Sequence, residues 1–393
     1  MLFKSLKLTL VCALICLAQF SSAQELIALV NVRYPKDTVS SRAAMHALKE
    51  FLAAKTGAVK DNAFIWQDEL PATSDMLDEI KGMEDFEGPS KEKGYYQCQL
   101  TNIIEKAPDN YLFQISYIHP STDYPILRAS FTLLAKKVDG KFLVYSPLKQ
   151  NTQAWRTKVY GNLTLHYKIT FEEADVKAYQ KQVHFYNQKL DLTDQPIDYY
   201  YCDDFTEVQR ILGIDYKSDY NGLNSNSLTA HENNMTLVVS GDPEHPHRFD
   251  AHDLWHERLR VAVSASVINR PVDEGCAYLY GGSWGYSWKE IVAKFKTYVA
   301  ANPNADWLSL YTNSTPFEGG EKPMFVAYML DALIVQKIEN EKGFAPVMQL
   351  LTCGPRQKGD DNYFAALEKV TGITKADFNA EMWKLVRAEK QRL

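Results

Sequence analysis

The residues best suited to chemistry in this chain of 393 residues lie in one short stretch, Ala251-His252-Asp253-Leu254-Trp255-His256-Glu257. Two histidines four apart on a helix project from one face, one above the other, so both imidazoles can reach a single metal ion. The residue after the first histidine points to the side of that face. In the H-E-x-x-H arrangement it is a glutamate that takes a proton from a metal-activated water; here it is Asp253. A tetrahedral zinc site needs a third protein ligand and leaves its fourth position to water. Asp273-Glu274-Gly275-Cys276-Ala277-Tyr278 begins 17 residues after His256. A glutamate on a following helix, with glycine beside it to let two helices approach, fits that need.

Aspartate is one methylene shorter than glutamate, which sets its carboxylate about 1 to 1.5 Å farther from the water, a misplacement that costs on the order of a hundredfold in rate. Zinc binding does not need that side chain. Glu257 lies on the same side and leans toward the helix N-terminus, but starts a full turn too far away to replace it. The plainer reading of His252 and His256 is a pair of helix histidines satisfied by polar neighbours. His245 and His247 sit among prolines in a stretch that reads as a solvated turn. Cys276, about 200° around a helix from Glu274, faces the core. Gly281-Gly282-Ser283-Trp284-Gly285 lacks the lysine and strand of a phosphate loop and reads as a turn between helices. Trp255, Trp284, Trp288 and Trp383 read as core aromatics.

The elements that must position these residues follow from periodicity. Met45, Leu48, Phe51 and Leu52 recur at helical spacing over 41–57, with Gly57 as a stop. Strand character marks 95–104, 111–118, 126–134 and 142–145, with Asp139-Gly140 as a tight hairpin turn, and an alternating stretch covers 159–169. One helix and a curled antiparallel sheet imply an α+β accessory domain over 24–165. From Phe171 a helix carries Val176, Tyr179, Val183 and Tyr186 on one face, followed by a strand at 197–202 and a helix at 205–212. Residues 218–234 read as a loop and 235–240 as a strand. Beyond Phe249 the pattern is helical over 250–264, 273–280, 286–300, 323–339, 344–352, 361–371 and 375–390. Strands that give way to a run of helices imply a second α+β domain, 166–393.

From about Phe171 onward the chain resembles a Peptidase MA-like domain, a gluzincin family related to thermolysin-like and aminopeptidase-type zinc enzymes. The resemblance rests on a strand and loop before the motif helix, as Met235–Ser240 precedes His252, and on Asp273 to Tyr278, similar to a "D-E-G-x-A-x-Y" segment. Phe325-Val326-Ala327-Tyr328-Met329 is similar to a late "F-V-x-Y-L" helix, and Gly354, Phe364 to Val370, Gly372-Ile373 and Glu381-Met382-Trp383 resemble the family's end. The resemblance implies a zincin-like, mostly helical domain. It implies one Zn2+ per chain held by His252, His256 and Glu274, and hydrolysis of a peptide or protein substrate with Asp253 as proton acceptor. Gluzincins often add a tyrosine or histidine donor for the oxyanion, and Tyr311 and Tyr328 are the candidates by position. The departure at Asp253 leaves a second reading, a catalytically impaired relative that serves as a binding or scaffold protein for an envelope partner.

Lys4 and Lys7 precede an apolar run from Leu8 to Phe20 that ends in Ser21-Ser22-Ala23, the pattern of a secretory signal peptide over 1–23, cleaved after Ala23. The run falls short of the roughly 20 residues needed to cross a bilayer. A secreted or periplasmic protein with no transmembrane segment is expected. Losing Lys4 and Lys7 with the leader leaves 41 basic residues against 49 acidic ones, a formal charge of −8, which argues against nucleic acid as a partner. Cys98, Cys202, Cys276 and Cys353 show no close-spaced framework and read mainly as buried thiols, a single bridge being the alternative.

Overall fold

The computed structural model describes residues 26–29, 31–84, 94–120, 124–168, 170–218, 227–241 and 249–392. The expected signal peptide and His245 and His247 lie outside them. The architecture is α+β, in two compact units: residues up to 170 with 195–241, and 171–194 with 249–392.

In the first unit, the helix Thr38–Ala53 starts where the Asp37 carboxylate accepts from the amides of Val39 and Ser40, both at 3.1 Å, satisfying orphan donors of its first turn. It buries Met45, Leu48, Phe51 and Leu52. Strands Gln97–Ala107, Asn110–His119, Ile126–Val138 and Lys141–Tyr145 form an antiparallel meander, with Ile27–Ala28 on its first edge and Ile214–Lys217 paired to Ile126–Val138. Asp139 and Gly140, at φ 50° and 81°, make the expected tight turn, because two positive φ values match the twist of the flanking strands. The stretch 159–169 is not one strand but part of a hairpin, Arg156–Tyr160 against Leu163–Tyr167.

A second, five-stranded sheet runs in the order Ser227–Glu232, Met235–Ser240, Ile197–Tyr201, Leu163–Tyr167, Arg156–Tyr160, its central three strands parallel. Ser227–Glu232 corrects the loop expected over 218–234. Its residues are mostly polar and hid the strand, while Asn233 and Asn234, at φ 50° and 57°, supply the hairpin turn. Because Ile197–Tyr201 and Met235–Ser240 pair into this sheet, the chain passes between units near 170, 194 and 246 rather than once near 165. The helix Leu70–Glu84, not read from the sequence, buries Leu70, Met76, Leu77, Ile80 and Met83 in the core shared by both sheets.

The second unit is helical apart from a small hairpin, Pro316–Glu318 with Met324–Phe325. Its centre is Val326–Lys342, a helix buried nearly all round. Against it lies Arg270–Gly281, and Ala251–Ala262 lies against that in turn. Trp255 is in the core as expected, but Trp284 is 49% exposed, its indole donating to the Pro323 carbonyl at 3.1 Å. None of the four described cysteines forms a disulfide. Among the described residues no helix is long and apolar enough to cross a membrane.

Deep in this unit, Asp331 accepts from the hydroxyls of Tyr363 at 2.6 Å and Tyr311 at 3.0 Å. Burial lifts the Asp331 carboxyl from 3.8 to about 7, although both phenols and the nearby Arg356 favour its charge. Between these values the folded chain keeps a proton that the unfolded chain has lost. The stability this group supplies is therefore complete below pH 3.8 and is lost as pH rises to about 7. Asp331→Asn keeps the shape without the proton and is expected to flatten that decline by on the order of a few kcal/mol. Urea unfolding at about pH 5 and about pH 8 measures it; identical pH profiles for the two proteins would contradict the assignment.

Candidate metal centre

The helix Ala251–Ala262 begins at Asp250, whose carboxylate accepts from the His252 amide at 2.8 Å. Leu254, Trp255, Arg258 and Leu259 form its buried face. That face is held from behind by the helix Glu173–Leu190. Tyr186 donates to the Ala251 carbonyl at 2.9 Å, its ring meets Trp255 edge-on at 5.4 Å, and the buried Arg258 donates to Asn187 at 2.9 Å. With one side of the helix committed, His252 and His256 are turned to the other.

The helix Arg270–Gly281 brings the third residue, and its two glycines play different parts. Gly275 does not serve the histidine helix: a Cβ there would stand 2.8 Å from the Ala332 amide nitrogen, so it admits Val326–Lys342. Gly281 admits the histidine helix, since a Cβ would lie 2.6 Å from both the Ala251 carbonyl carbon and the His252 nitrogen. Gly282 follows at φ 82°, the left-handed region that glycine adopts without strain. Its carbonyl thereby meets His252 Nδ1 at 2.8 Å.

Each imidazole is tied by its Nδ1 to an oxygen that can only accept: His252 to the Gly282 carbonyl, His256 to Asp273 Oδ1 at 2.8 Å. Asp273 is itself held by the Trp255 indole at 3.0 Å. In its neutral form each ring therefore carries its proton on Nδ1 and turns its Nε2 lone pair to one shared point, the tautomer used to hold a metal. The Nε2 atoms are 3.2 Å apart, and Glu274 Oε2 lies 3.5 Å from that of His252 and 4.0 Å from that of His256. Two lone pairs so close repel unless a proton or cation lies between them. A triangle with these edges has a circumscribed radius of about 2.1 Å, within the Zn–N and Zn–O range of about 2.0–2.2 Å. Among the described residues His252, His256 and Glu274 form the one group of at least three such side chains close enough to share an ion.

The three side chains also shift one another's protonation. Burial alone would lower the His252 pKa, but Glu274 and the Gly282 carbonyl stabilise its protonated form, outweigh burial and raise it. Burial alone would raise Glu274, yet the His252 bond and the charges of His256 and Arg270 hold it below the usual carboxylate range.

The other expected site residues fall elsewhere. Asp253 is exposed on the first turn of its helix. Crowding by surrounding protein raises its pKa first and Asp250 raises it further, against the pull of His252 and His256. Tyr311 is not brought to the centre: it is fully buried, stacked on Tyr363, with its hydroxyl committed to Asp331. Tyr328 is half-buried, with its ring edge-on to Tyr278 at 5.8 Å; Tyr278 in turn lies 6.1 Å from the His252 ring, and nearby Arg270 pulls the Tyr328 pKa down against the burial that raises it. Three contributors escaped the sequence reading: Asp273, the Gly282 carbonyl, and Arg270, whose guanidinium is 3.2 Å from Glu274 Oε1. The signal for Asp273 was its place beside Glu274, turned about 100° around the helix toward the second histidine.

No protein-family model and no curated protein sequence matches this chain.

The contrast between glycines is testable. Gly281→Ala is expected to destabilise by about 1–3 kcal/mol, because backbone cannot yield as a side chain does. Gly82→Ala, in an exposed helix position with nothing within 4 Å, is expected to stabilise by about 0.5–1 kcal/mol. Urea unfolding of both variants reads the two opposite signs.

Proposed function

We propose that the chain is an exported zinc metallopeptidase of gluzincin type, whose second unit is zincin-like and belongs with the Peptidase MA-like domains. One observation carries this reading: two imidazoles and a carboxylate converge with both Nδ1 atoms tethered, a donor set suited to catalytic zinc, which keeps three protein ligands and one open position. A bound zinc ion would polarise a peptide carbonyl and bring the pKa of a water toward 7. His252, His256 and Glu274 hold the ion, and Asp273 and the Gly282 carbonyl keep the rings aimed. Asp253 is the proton acceptor. Its raised pKa moves it toward the range in which a carboxylate works as a base near neutral pH. Tyr328 is the hydrogen-bond donor placed to meet the oxygen on which charge develops.

A second reading keeps the metal and drops the reaction. The short reach and exposed position of Asp253 favour a chain that uses the same centre as a scaffold for an envelope partner. The two part on experiment. Purified protein is expected to hold one zinc per chain, lost in His252→Ala and Glu274→Ala. A peptide library should be cleaved by wild type and not by Asp253→Ala. Cleavage that appears only in Asp253→Glu would establish the scaffold reading, and wild type without metal would remove both.

Zinc affinity is also expected to fall as pH drops through the His252 pKa, because the proton must leave before the metal binds. Isothermal titration at several pH values, in buffers of different ionisation heat, counts that proton.

A further inference from the structure

Arg270 is the first residue of the helix that carries Glu274. A cation there opposes the helix dipole, and a base preceding an acid by four residues is the weaker order for a helical ion pair. Helix stability therefore does not explain this arginine. Its contacts do. Its side chain is 76% exposed, yet the guanidinium reaches forward one turn to Glu274 Oε1 at 3.2 Å, and it lies close enough to the Tyr328 side chain on the helix Val326–Lys342 to pull that phenol's pKa down. Glu274 thus has its two oxygens assigned to different tasks, Oε1 to Arg270 and Oε2 to the imidazoles at 3.5 and 4.0 Å.

We infer that Arg270 is the positioning residue of the third ligand: by holding Oε1 it presents Glu274 to the metal through Oε2 alone. This rests on the reading of His252, His256 and Glu274 as metal ligands. A free carboxylate rotates about its last bond and offers either oxygen or both. A planar guanidinium paired with one carboxylate oxygen restricts that freedom before the ion arrives. The same guanidinium stands beside the Tyr328 side chain, so its charge bears on both a ligand and the proposed oxyanion donor. An ammonium group retains the charge but not the fork.

The test is zinc affinity of the full chain, measured by competition with a chromophoric chelator, together with thermal unfolding of the metal-free protein. Arg270→Met is expected to weaken zinc by about 10- to 100-fold, the usual effect of losing a partner behind a ligand. Its metal-free melting temperature should stay at the wild-type value, as an exposed pair adds little to folding. Arg270→Lys should recover part of the affinity. Tyr328→Phe should weaken zinc by less than Arg270→Met. Wild-type affinity in Arg270→Met, or a loss of metal-free stability that accounts for the weakening, overturns the inference while leaving the metal centre standing. Absence of zinc binding from wild type overturns both.

Discussion

Two imidazole nitrogens 3.2 Å apart, both turned toward one carboxylate oxygen, are an arrangement that a folded chain does not reach by default. Each lone pair would be better served by water, and together they repel. What holds them is a set of bonds on the far side of each ring, where a backbone carbonyl and an aspartate leave Nδ1 no option but to donate. The rest of the second unit can be understood as the support for those two bonds.

That support is mostly backbone. The Gly282 carbonyl reaches His252 because Gly281 lets two helices touch and Gly282 turns the chain with a positive φ. Asp273 reaches His256 because the indole of Trp255, buried in the same helix face that Tyr186 and Arg258 anchor, fixes the carboxylate from the other side. On the opposite face of the glutamate helix, Gly275 lets Val326–Lys342 in to the point where Asp331 begins a buried network of phenols. Close approach on both faces leaves Glu274 little room to move with its helix. Orientation is built before any ion is bound, and a preorganised site loses less on binding.

Polar groups are divided with some economy. The deeply buried Asp331 carboxyl is lifted to about 7 by burial, against the pull of its two tyrosine partners, and serves packing. Glu274 is held in its ionised form by histidines and an arginine and, on the proposed reading, serves binding. Asp253 stands apart from both, on the exposed first turn. On the proposed reading it is the one member of the site whose position is not enforced by a second bond. The question of reaction against scaffold therefore concentrates on that residue.

Much of this was legible in the amino-acid order. The i, i+4 histidines declare their shared face because helical period is a local property, and Glu274 stood out as an acid on the next helix with glycine at its side. The Asp139-Gly140 turn and the meander strands were readable for the same reason: short-range pattern dictates them. Tertiary structure alone decided what lies between distant segments. Nothing local says that Gly275 faces Val326–Lys342 while Gly281 faces His252, that the polar stretch Ser227–Glu232 pairs as a strand, or that Tyr311 spends its hydroxyl on Asp331 while Tyr328 meets Arg270. Spacing fixes which side chains share a face; which face meets which is set by volume and hydrogen-bond satisfaction over the whole unit, and those are summed only when the chain has folded.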